Sequence, residues 1–146
     1  MQLKFLSSQS HTLSTLLALL AVSLAVGCSN SSGPELGYVE GVVTFDGKSL
    51  EYAEIQFEPL NGRPSLGISD SNGHYALRFT GTRNGATLGK HVVRIISARD
   101  SSGGEGNQPF VKSRPEILPA KYHINSELTA EVQSGNNTIN FDLTSN

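Results

Sequence analysis

Residues 54–58 read Glu-Ile-Gln-Phe-Glu, a strict alternation of polar and apolar side chains. Successive side chains of a β-strand point to opposite faces, so this spacing predicts a strand with Ile55 and Phe57 on a buried face. Residues 39–45, Val-Glu-Gly-Val-Val-Thr-Phe, extend the same period of two upstream. Alternation of this kind is typical of antiparallel sheets that cover a core with one face and meet water with the other.

Five more runs complete a set of seven predicted strands. Residues 65–70 are short and weakly patterned, which predicts an edge strand, whereas residues 90–98 are apolar on both faces, as expected of a central strand. The seven runs are residues 39–45, 54–58, 65–70, 74–79, 90–98, 128–133 and 139–143. Because short strands alternate with turns and no long helical stripe follows residue 38, we expect an all-β sandwich of two sheets.

Residues that tolerate a positive φ separate several of these runs. Asp46-Gly47 and Asn72-Gly73 are predicted to close hairpins, and residues 135–137, Gly-Asn-Asn, are predicted to do the same before the last strand. The carboxylate of Asp70 is expected to cap the turn that contains Gly73. Residues 70–73 also resemble part of a calcium loop, but the chain then enters a strand instead of supplying further oxygen ligands, so a structural turn is favoured.

Residues 1–27 differ from the rest of the chain. Lys4 is their only charged residue, and it precedes a mostly apolar run at residues 13–26. As a helix this run would span about 21 Å, short of the ~30 Å hydrocarbon core of a bilayer. A basic start, an apolar middle and small residues at the end predict a secretory signal peptide, with a buried core helix as the alternative.

The end of this segment, Leu24-Ala25-Val26-Gly27-Cys28, resembles the bacterial lipobox, in which the chain is cut before a cysteine that receives lipid. The resemblance implies a lipoprotein-type signal peptide over residues 1–27, cleavage after Gly27 and lipidation of Cys28 with palmitate among its acyl chains. Small residues at Ala25 and Gly27 also satisfy an ordinary signal peptidase, so a secreted protein is the alternative.

The cysteine count favours the lipid anchor. Cys28 is the only cysteine, so no intrachain disulfide is possible, and a thioether link to lipid accounts for a lone exported thiol. Several acyl chains hold a protein firmly, because each buried CH₂ contributes about 0.8 kcal/mol. Ser29 favours the outer membrane over the inner one. Residues 28–36 are then the lipidated cysteine and a flexible polar tether rich in Ser and Gly.

The charge balance limits the partners. The chain of 146 residues has 11 basic and 13 acidic side chains, a net charge of -2. Nucleic-acid binding needs a clustered surplus of Lys and Arg, so no nucleic-acid partner is expected. The expected partner is the membrane, through the lipid anchor, with a carbohydrate or protein partner left open.

The strand and turn residues together resemble the carboxypeptidase regulatory-like, or transthyretin-like, domain of short bacterial lipoproteins. The resemblance covers residues 37–144, and most matched positions are turn glycines and core apolar residues. It rests on residues 41–50, 53–57, 70–77, 89–95, 119–122 and 126–129, together with Gly67. The resemblance implies that residues 37–146 form a seven-stranded Greek-key β-sandwich of the prealbumin type.

No catalytic set is expected. Glu54 and Glu58 share one face of a strand, but four residues at about 3.4 Å each separate them by ~13 Å, too far for a glycosidase pair. The sequence has no Gly-x-Ser-x-Gly elbow, and it ends without the Tyr-Arg-Gly-Ser motif of transthyretin-fold hydrolases of 5-hydroxyisourate. His74 and His91 begin strands that could be neighbours, yet no further ligand accompanies them, so neither a metal nor another cofactor is expected.

The candidate partner surface consists of Phe110, Lys121 and Tyr122. Residues 99–116 form a long loop whose Ser- and Gly-rich first half is expected to be disordered, with Phe110 and Val111 fastening the second half. Tyr122 beside Lys121 would suit stacking on a sugar ring, or else Tyr122 closes the end of the sandwich. The expected function is a structural or adhesive role at the cell envelope without catalysis, with a ligand-binding module as the alternative.

Overall fold

The computed structural model describes residues 33–106 and 109–146, and Pro34–Asn146 form one compact unit. The described residues are almost entirely strand and loop, with a single short 3₁₀ helix at Ala120–Tyr122. The strands are β1 (Leu36–Phe45), β2 (Lys48–Ser49), β3 (Glu54–Pro59), β4 (Ser65–Ile68), β5 (His74–Ala76), β6 (Ala86–Thr87), β7 (Gly89–Ile96), β8 (Thr129–Val132), β9 (Gly135–Thr138) and β10 (Phe141–Leu143). The protein is therefore all-β, as predicted.

The first sheet is organised around β1, which has ten residues and five partner strands. Strands β2, β5 and β6 pair with it in antiparallel orientation. Strands β9 and β10 run parallel to it, in registers that align Val39 with Asn137 and Val43 with Phe141. The chain therefore returns to β1 twice at its end, and β1 becomes the axis of the sheet.

The second sheet has the order β4-β3-β7-β8, and every pair in it is antiparallel. Strand β7 lies between two neighbours and β4 lies at one edge, which confirms the central strand predicted at residues 90–98 and the edge strand predicted at residues 65–70. Inward-facing Val93 and Ile95 are fully buried, whereas Val92 on the other face is exposed. The sheet thus has one core face and one face toward water.

The core receives side chains from both sheets. Those with no exposed surface include Val39 and Val43 from the first sheet and Ile55, Phe57, Val93 and Ile95 from the second. The rings of Phe57 and Phe141 meet edge to face with their centres 6.2 Å apart. Phe57, Leu77 and Phe141 all lie in this cluster, which confirms the alternation from which the buried faces were predicted.

The structure has ten strand segments where seven were predicted. Each predicted run contains a strand, and the additional segments are the short β2, β6 and β9. The expected turn at residues 135–137 was wrong, because these residues form β9 and pair with β1. Gly135 does have a positive φ of 88°, but the bend precedes a parallel strand and closes no hairpin.

Two other turns form where the sequence predicts them. Asp46 and Gly47 have φ values of 49° and 74° and join β1 to antiparallel β2, as predicted. The Asp70 Oδ1 atom accepts hydrogen bonds from the backbone amides of Asn72 at 2.8 Å and His74 at 3.0 Å. Gly73 has a φ of 80° in the same turn. The prediction that residues 70–73 form a structural turn is confirmed, since Asp70 Oδ1 accepts its hydrogen bonds from backbone amides of that turn.

A two-residue break, Ile139 and Asn140, separates β9 from β10 and lies against the middle of β1, with the register unchanged on either side. The carbonyl oxygen of Ile139 stands where a side chain on Gly41 would begin, so glycine is needed there. The phenol of Tyr75 donates a hydrogen bond to this carbonyl at 2.7 Å, and burial raises the pKa of that phenol. The amide of Val42 donates to Asn140 Oδ1 at 2.9 Å, so at this break a side chain satisfies the backbone amide.

Candidate functional site

Two of the three residues of the predicted partner surface lie at the end of the sandwich. Tyr122 is only 8% exposed and belongs to the core cluster. Its hydroxyl accepts a hydrogen bond from the amide of Thr144 at 3.2 Å. The ammonium nitrogen of Lys121 lies 5.1 Å from the ring centre of Tyr122, a cation–π contact. The burial of Tyr122 agrees with a core role and removes its ring from the surface that a sugar would contact.

Phe110 lies apart from them in the long loop, and 66% of its surface is exposed. This loop is a two-stranded excursion. The amide of Arg99 donates to the carbonyl of Arg114 at 2.9 Å, and that of Ser102 donates to the carbonyl of Val111 at 2.9 Å, each with a reciprocal bond. The expected disorder of the first half was wrong for its described residues 99–106, because the paired backbone groups of Arg99 and Ser102 hold them to the second half. Phe110 is thereby held in an exposed position.

Glu116 fastens the base of the long loop to the end of β7. Its carboxylate accepts hydrogen bonds from the amides of Ser97, Ala98, Ile117 and Leu118 at 2.9–3.3 Å and from the Ser97 hydroxyl. Burial by itself would raise the pKa of this carboxyl, but the hydrogen bonds outweigh it and lower the pKa. An ionised carboxylate that accepts so many donors is a structural fastening.

Two arginines hold the other side of the loop base. Arg99 Nη1 and Arg114 Nη2 both donate to the backbone carbonyl of Glu51, at 3.2 and 3.0 Å. Burial, and then the charge of Arg99, lower the pKa of the Arg114 guanidinium. Arg99 also lies over the ring of Tyr52, with 5.2 Å from Cζ to the ring centre. Tyr52 has a positive φ of 51°, so these contacts secure a strained turn.

His91 is a core residue on β7 and is 3% exposed. Its Nδ1 lies 3.0 Å from the carbonyl of Gly89 and its Nε2 lies 3.2 Å from Thr87 Oγ1. A carbonyl only accepts, so Nδ1 carries the hydrogen and Nε2 accepts from the threonine hydroxyl. Burial lowers the pKa of this imidazole, although the carbonyl of Gly89 opposes the shift. The ring is therefore a neutral, satisfied part of the core.

A groove of about 490 Å³ runs over the outer face of β1 beside the break at Ile139 and Asn140. The side chains that give it hydrogen-bonding capacity are Glu40, His74, Thr138 and Asn140. Tyr38, which lies next to it along β1, is 37% exposed and donates a hydrogen bond to Glu40 Oε2 at 3.1 Å. That bond and the charge of Glu40 raise the pKa of the Tyr38 phenol. Carboxylate, imidazole, hydroxyl and amide groups beside an exposed ring suit a neutral polyhydroxy ligand.

A second groove, of about 600 Å³, follows the outer edge of β4. Arg63 and Arg78 line it together with the exposed Leu66 and Ile68, and Glu54 is its only carboxylate. Neither arginine forms an ion pair with any residue that the structure describes. The ion pairs among those residues are Arg94–Glu58 and Arg99–Glu51. This groove combines apolar surface with two uncompensated guanidinium groups.

The titratable residues considered from the sequence do not converge. His74 lies on β5 in the first sheet and His91 on β7 in the second, so they are not neighbours in one sheet. Glu54 lies on β3, and Asp70 is engaged in its own turn. Within residues 33–106 and 109–146, no group of three or more His, Cys, Asp or Glu residues is placed to hold a metal ion.

Cys28, the predicted lipidation residue, and the cleavage point after Gly27 lie outside the described residues. No helix in the part of the chain that the structure describes is long and apolar enough to cross a bilayer.

Neither a protein-family model nor a curated protein matches this chain. A crystal structure of a DUF3823 family protein from Parabacteroides merdae ATCC 43184 is similar over 77% of this chain and 47% of its own, with 15% identity and a TM-score of 0.39. A 9R-lipoxygenase from Cyanothece PCC8801 is similar over 89% of this chain and 20% of its own, with 14% identity and a TM-score of 0.38. The chain thus spans less than half the length of either protein, and neither likeness assigns it an activity.

Sequence reasoning did not find the two grooves or the fastened loop. Each is assembled from residues far apart in the chain, such as Glu40 and Thr138 across neighbouring strands. One local signal was present for the second groove. Residues 60–89 contain Arg63, Arg78 and Arg83 but a single carboxylate, Asp70, in a chain of net charge -2.

Proposed function

We propose that this protein is a lipid-anchored protein of the cell envelope whose folded part is a single carboxypeptidase regulatory-like, or transthyretin-like, domain. Residues 1–27 are then a lipoprotein signal peptide removed after Gly27, and Cys28 carries the lipid. Residues 28–36 are the tether and residues 37–146 the domain. The outer membrane is the more favoured location, and a secreted protein is the alternative.

The position of the fold along the chain carries this proposal. The compact unit begins at Pro34 and its first strand at Leu36, only a few residues after the sole cysteine. A lipid on Cys28 would therefore hold the domain close to a bilayer, since a chain spans at most about 3.6 Å per residue. A lipid anchor accounts for three features together: the lone thiol, the apolar run before it and the folded domain that follows closely.

The finer fold assignment is part of the same proposal. All seven predicted runs contain strands, and the two sheets enclose one core. We assign these seven runs to a Greek-key sandwich of the prealbumin type, in which β2, β6 and β9 are short additions along β1. The role that suits such a domain is structural or adhesive, without catalysis, because His74, His91, Glu54 and Asp70, the titratable residues considered from the sequence, lie on separate elements.

The anchor is tested by Cys28→Ala in cells fed labelled palmitate. We expect the unaltered protein to take up label and to fractionate with the membrane, and Cys28→Ala to lose both the label and the membrane. The matched control is Ser29→Ala, which keeps the thiol and should stay attached. A Cys28→Ala protein that remained in the membrane fraction would contradict the proposal.

A second candidate is a ligand-binding module, and the groove over the outer face of β1 favours it. The groove places Glu40, His74 and Thr138 on one surface beside the ring of Tyr38. Hydrogen-bonding groups next to an aromatic ring are a common arrangement for recognising a neutral carbohydrate. This site replaces the surface around Tyr122, whose ring is buried.

Glycan-array binding of the mature chain tests the second candidate. We expect glycans that bind to lose at least tenfold in affinity with Glu40→Gln, because a hydrogen bond to a charged group contributes about 1.5–3 kcal/mol. Glu127→Gln, an exposed carboxylate remote from β1, is the control and should bind normally. If both variants bound alike, the groove would not be the site.

A further inference from the structure

An arginine cluster lies where the tether joins the domain. Arg83 Nη2 donates a hydrogen bond to the carbonyl of Pro34 at 2.6 Å, just before β1 begins. The guanidinium carbons of Arg63 and Arg83 lie 5.4 and 5.6 Å from the ring centre of Phe79. One aromatic ring, itself 8% exposed, therefore holds two cationic side chains next to the first residues of the fold. We call Arg63, Arg78 and Arg83 the arginine cluster.

The cluster lacks local compensation. None of its three guanidinium groups forms an ion pair with a described residue. The turn of Asp70, the single carboxylate of residues 60–89, lies against Val43 near the other end of β1, where the amide of Val43 donates to the carbonyl of Gly73 at 2.9 Å. Two other carboxylates lie near the cluster. Glu35 follows Pro34 in the chain and accepts a hydrogen bond from the Ser134 hydroxyl at 3.2 Å, and Glu54 lines the same groove as Arg63 and Arg78. A positive surface thus remains in a chain of negative net charge.

An exposed apolar residue accompanies the cluster. Leu60 is 93% exposed and begins the loop from residue 60 to 64 that carries Arg63 between β3 and β4. A leucine almost fully in water, three residues before Arg63 in the same loop, gives the combination that interfacial membrane contacts use: the cations meet lipid phosphates and the apolar group enters the headgroup boundary. Arginine suits this role because its planar fork donates two hydrogen bonds to a phosphate.

We propose that the arginine cluster, with Leu60, contacts the anionic lipid headgroups of the membrane that holds the protein. The inference rests on the proposed lipid anchor. Five residues lie between Cys28 and Pro34, so a lipid on Cys28 keeps this end of the domain within about 20 Å of the bilayer, since each of the six Cα–Cα steps spans at most about 3.6 Å. The headgroups are then the anionic surface that the arginines meet first. The contact would fix which end of the sandwich faces the membrane and direct the long loop, with Phe110, away from it.

The test supplies the anchor chemically, so that it does not depend on lipidation in cells. The mature chain Cys28–Asn146 contains the whole compact unit and a single thiol, which is coupled to maleimide lipid in vesicles. The chain has no tryptophan, so Leu60→Trp and Phe110→Trp each introduce one fluorescent probe, at the tether end and in the long loop. Quenching by brominated phosphatidylcholine then reports which probe reaches the lipid.

With phosphatidylglycerol present at low salt, we expect the Leu60→Trp probe to be quenched and the Phe110→Trp probe to remain unquenched. Adding Arg63→Gln to Leu60→Trp should weaken the contact about fivefold, and Arg63→Lys should largely retain it, because one cation near an anionic membrane contributes about 1 kcal/mol. High salt should release the probe. Lys112→Gln, which removes one positive charge from the long loop, should change nothing.

Three outcomes would overturn the inference. The first is equal quenching of the Leu60→Trp probe in vesicles with and without phosphatidylglycerol. The second is quenching of both probes alike, which would mean that the domain has no preferred orientation. The third is tight binding of the cluster to soluble heparin, lost in Arg63→Gln, without any effect of anionic lipid. A failure of the anchor itself is recognised separately, through Cys28→Ala in cells.

Discussion

The carbonyl oxygen of Ile139 lies 1.8 Å from the point that a Cβ atom on Gly41 would occupy. Residue 139 belongs to the break between β9 and β10, and residue 41 lies at the middle of β1. The chain can therefore pass from the parallel pairing of β9 with β1 to that of β10 with β1 only because residue 41 has no side chain facing the Ile139 carbonyl. The hydroxyl of Tyr75 completes the junction by donating to the same carbonyl.

Gly41→Ala should destabilise the protein severely. The new methyl group would force the Ile139 carbonyl away from β1 and from the Tyr75 hydroxyl, and overpacking of this kind costs about 3 kcal/mol or more. The free energy of unfolding from a urea titration measures the loss. Tyr75→Phe, which keeps the ring and removes only the hydrogen bond, should cost roughly 1 kcal/mol.

Gly81→Ala is the matched control for this prediction. A Cβ on Gly81 would have no neighbour within 4 Å, and its φ lies outside the left-handed region. This variant should stay within about 0.5 kcal/mol of the unaltered protein. Equal stability of Gly41→Ala and Gly81→Ala would show that the Ile139 carbonyl does not press on β1.

Glu116→Gln should loosen the long loop. An amide in place of the carboxylate offers one acceptor oxygen and turns its NH₂ group toward backbone amides that also donate, so we expect a loss of roughly 2 kcal/mol. Amide hydrogen exchange at Ser102 and Val111 should accelerate together with the fall in stability. Glu105→Gln in the same loop, where the side chain is exposed, should change neither quantity.

Glu116 also predicts a dependence on acidity. The pKa of its carboxyl is lower in the fold than the ordinary value of 4.5. Its stabilisation is therefore complete above that value and is lost as the pH falls through the folded pKa. Unfolding measured at decreasing pH should show this loss in the unaltered protein and a shallower decline in Glu116→Gln. Parallel curves for the two proteins would contradict the assignment.

His91 should make the free energy of unfolding depend on pH in a higher range than Glu116 does. Burial lowers the pKa of its imidazole below the ordinary 6.5. Both states are neutral above that value, and below it the unfolded chain binds the proton first, so the free energy of unfolding falls with falling pH. His91→Gln should remove this slope between pH 6.5 and the folded pKa while leaving the acidic decline due to Glu116. An unchanged slope in the variant would assign it to another group.

Tyr122 and Phe110 should respond in opposite ways to truncation. Tyr122→Ala removes a core ring and should cost about 3–5 kcal/mol, as large-to-small changes in cores do. Phe110→Ala removes a mostly exposed ring and should leave the thermal midpoint nearly unchanged. Thermal unfolding followed by circular dichroism compares the two. A large loss for Phe110→Ala would mean that its ring packs in solution as a structural element.

The sequence predicted the elements well because their signals are local. The alternation at residues 54–58 became β3 with Ile55 and Phe57 fully buried, and the Asp70 carboxylate occupies the turn that it was expected to cap. The expectations that were wrong depended on distant partners. Residues 135–137 have turn chemistry, yet β1 recruits them as a strand, and the polar first half of the long loop is ordered by its pairing with the second half.

The amino-acid order by itself determined the all-β class, the buried faces, two of the turns, and the expectation of a signal and anchor ending at Cys28. Only the tertiary structure decided that β1 has five partners, that Glu40 shares a groove with Thr138, and that Arg83 meets Pro34. The physical reason is range. Strand alternation and turn chemistry lie within a few neighbouring residues, whereas contacts such as that of Val42 with Asn140 join residues 98 positions apart. Such pairings depend on how the apolar faces of all the strands pack against one another, which no short stretch of sequence specifies.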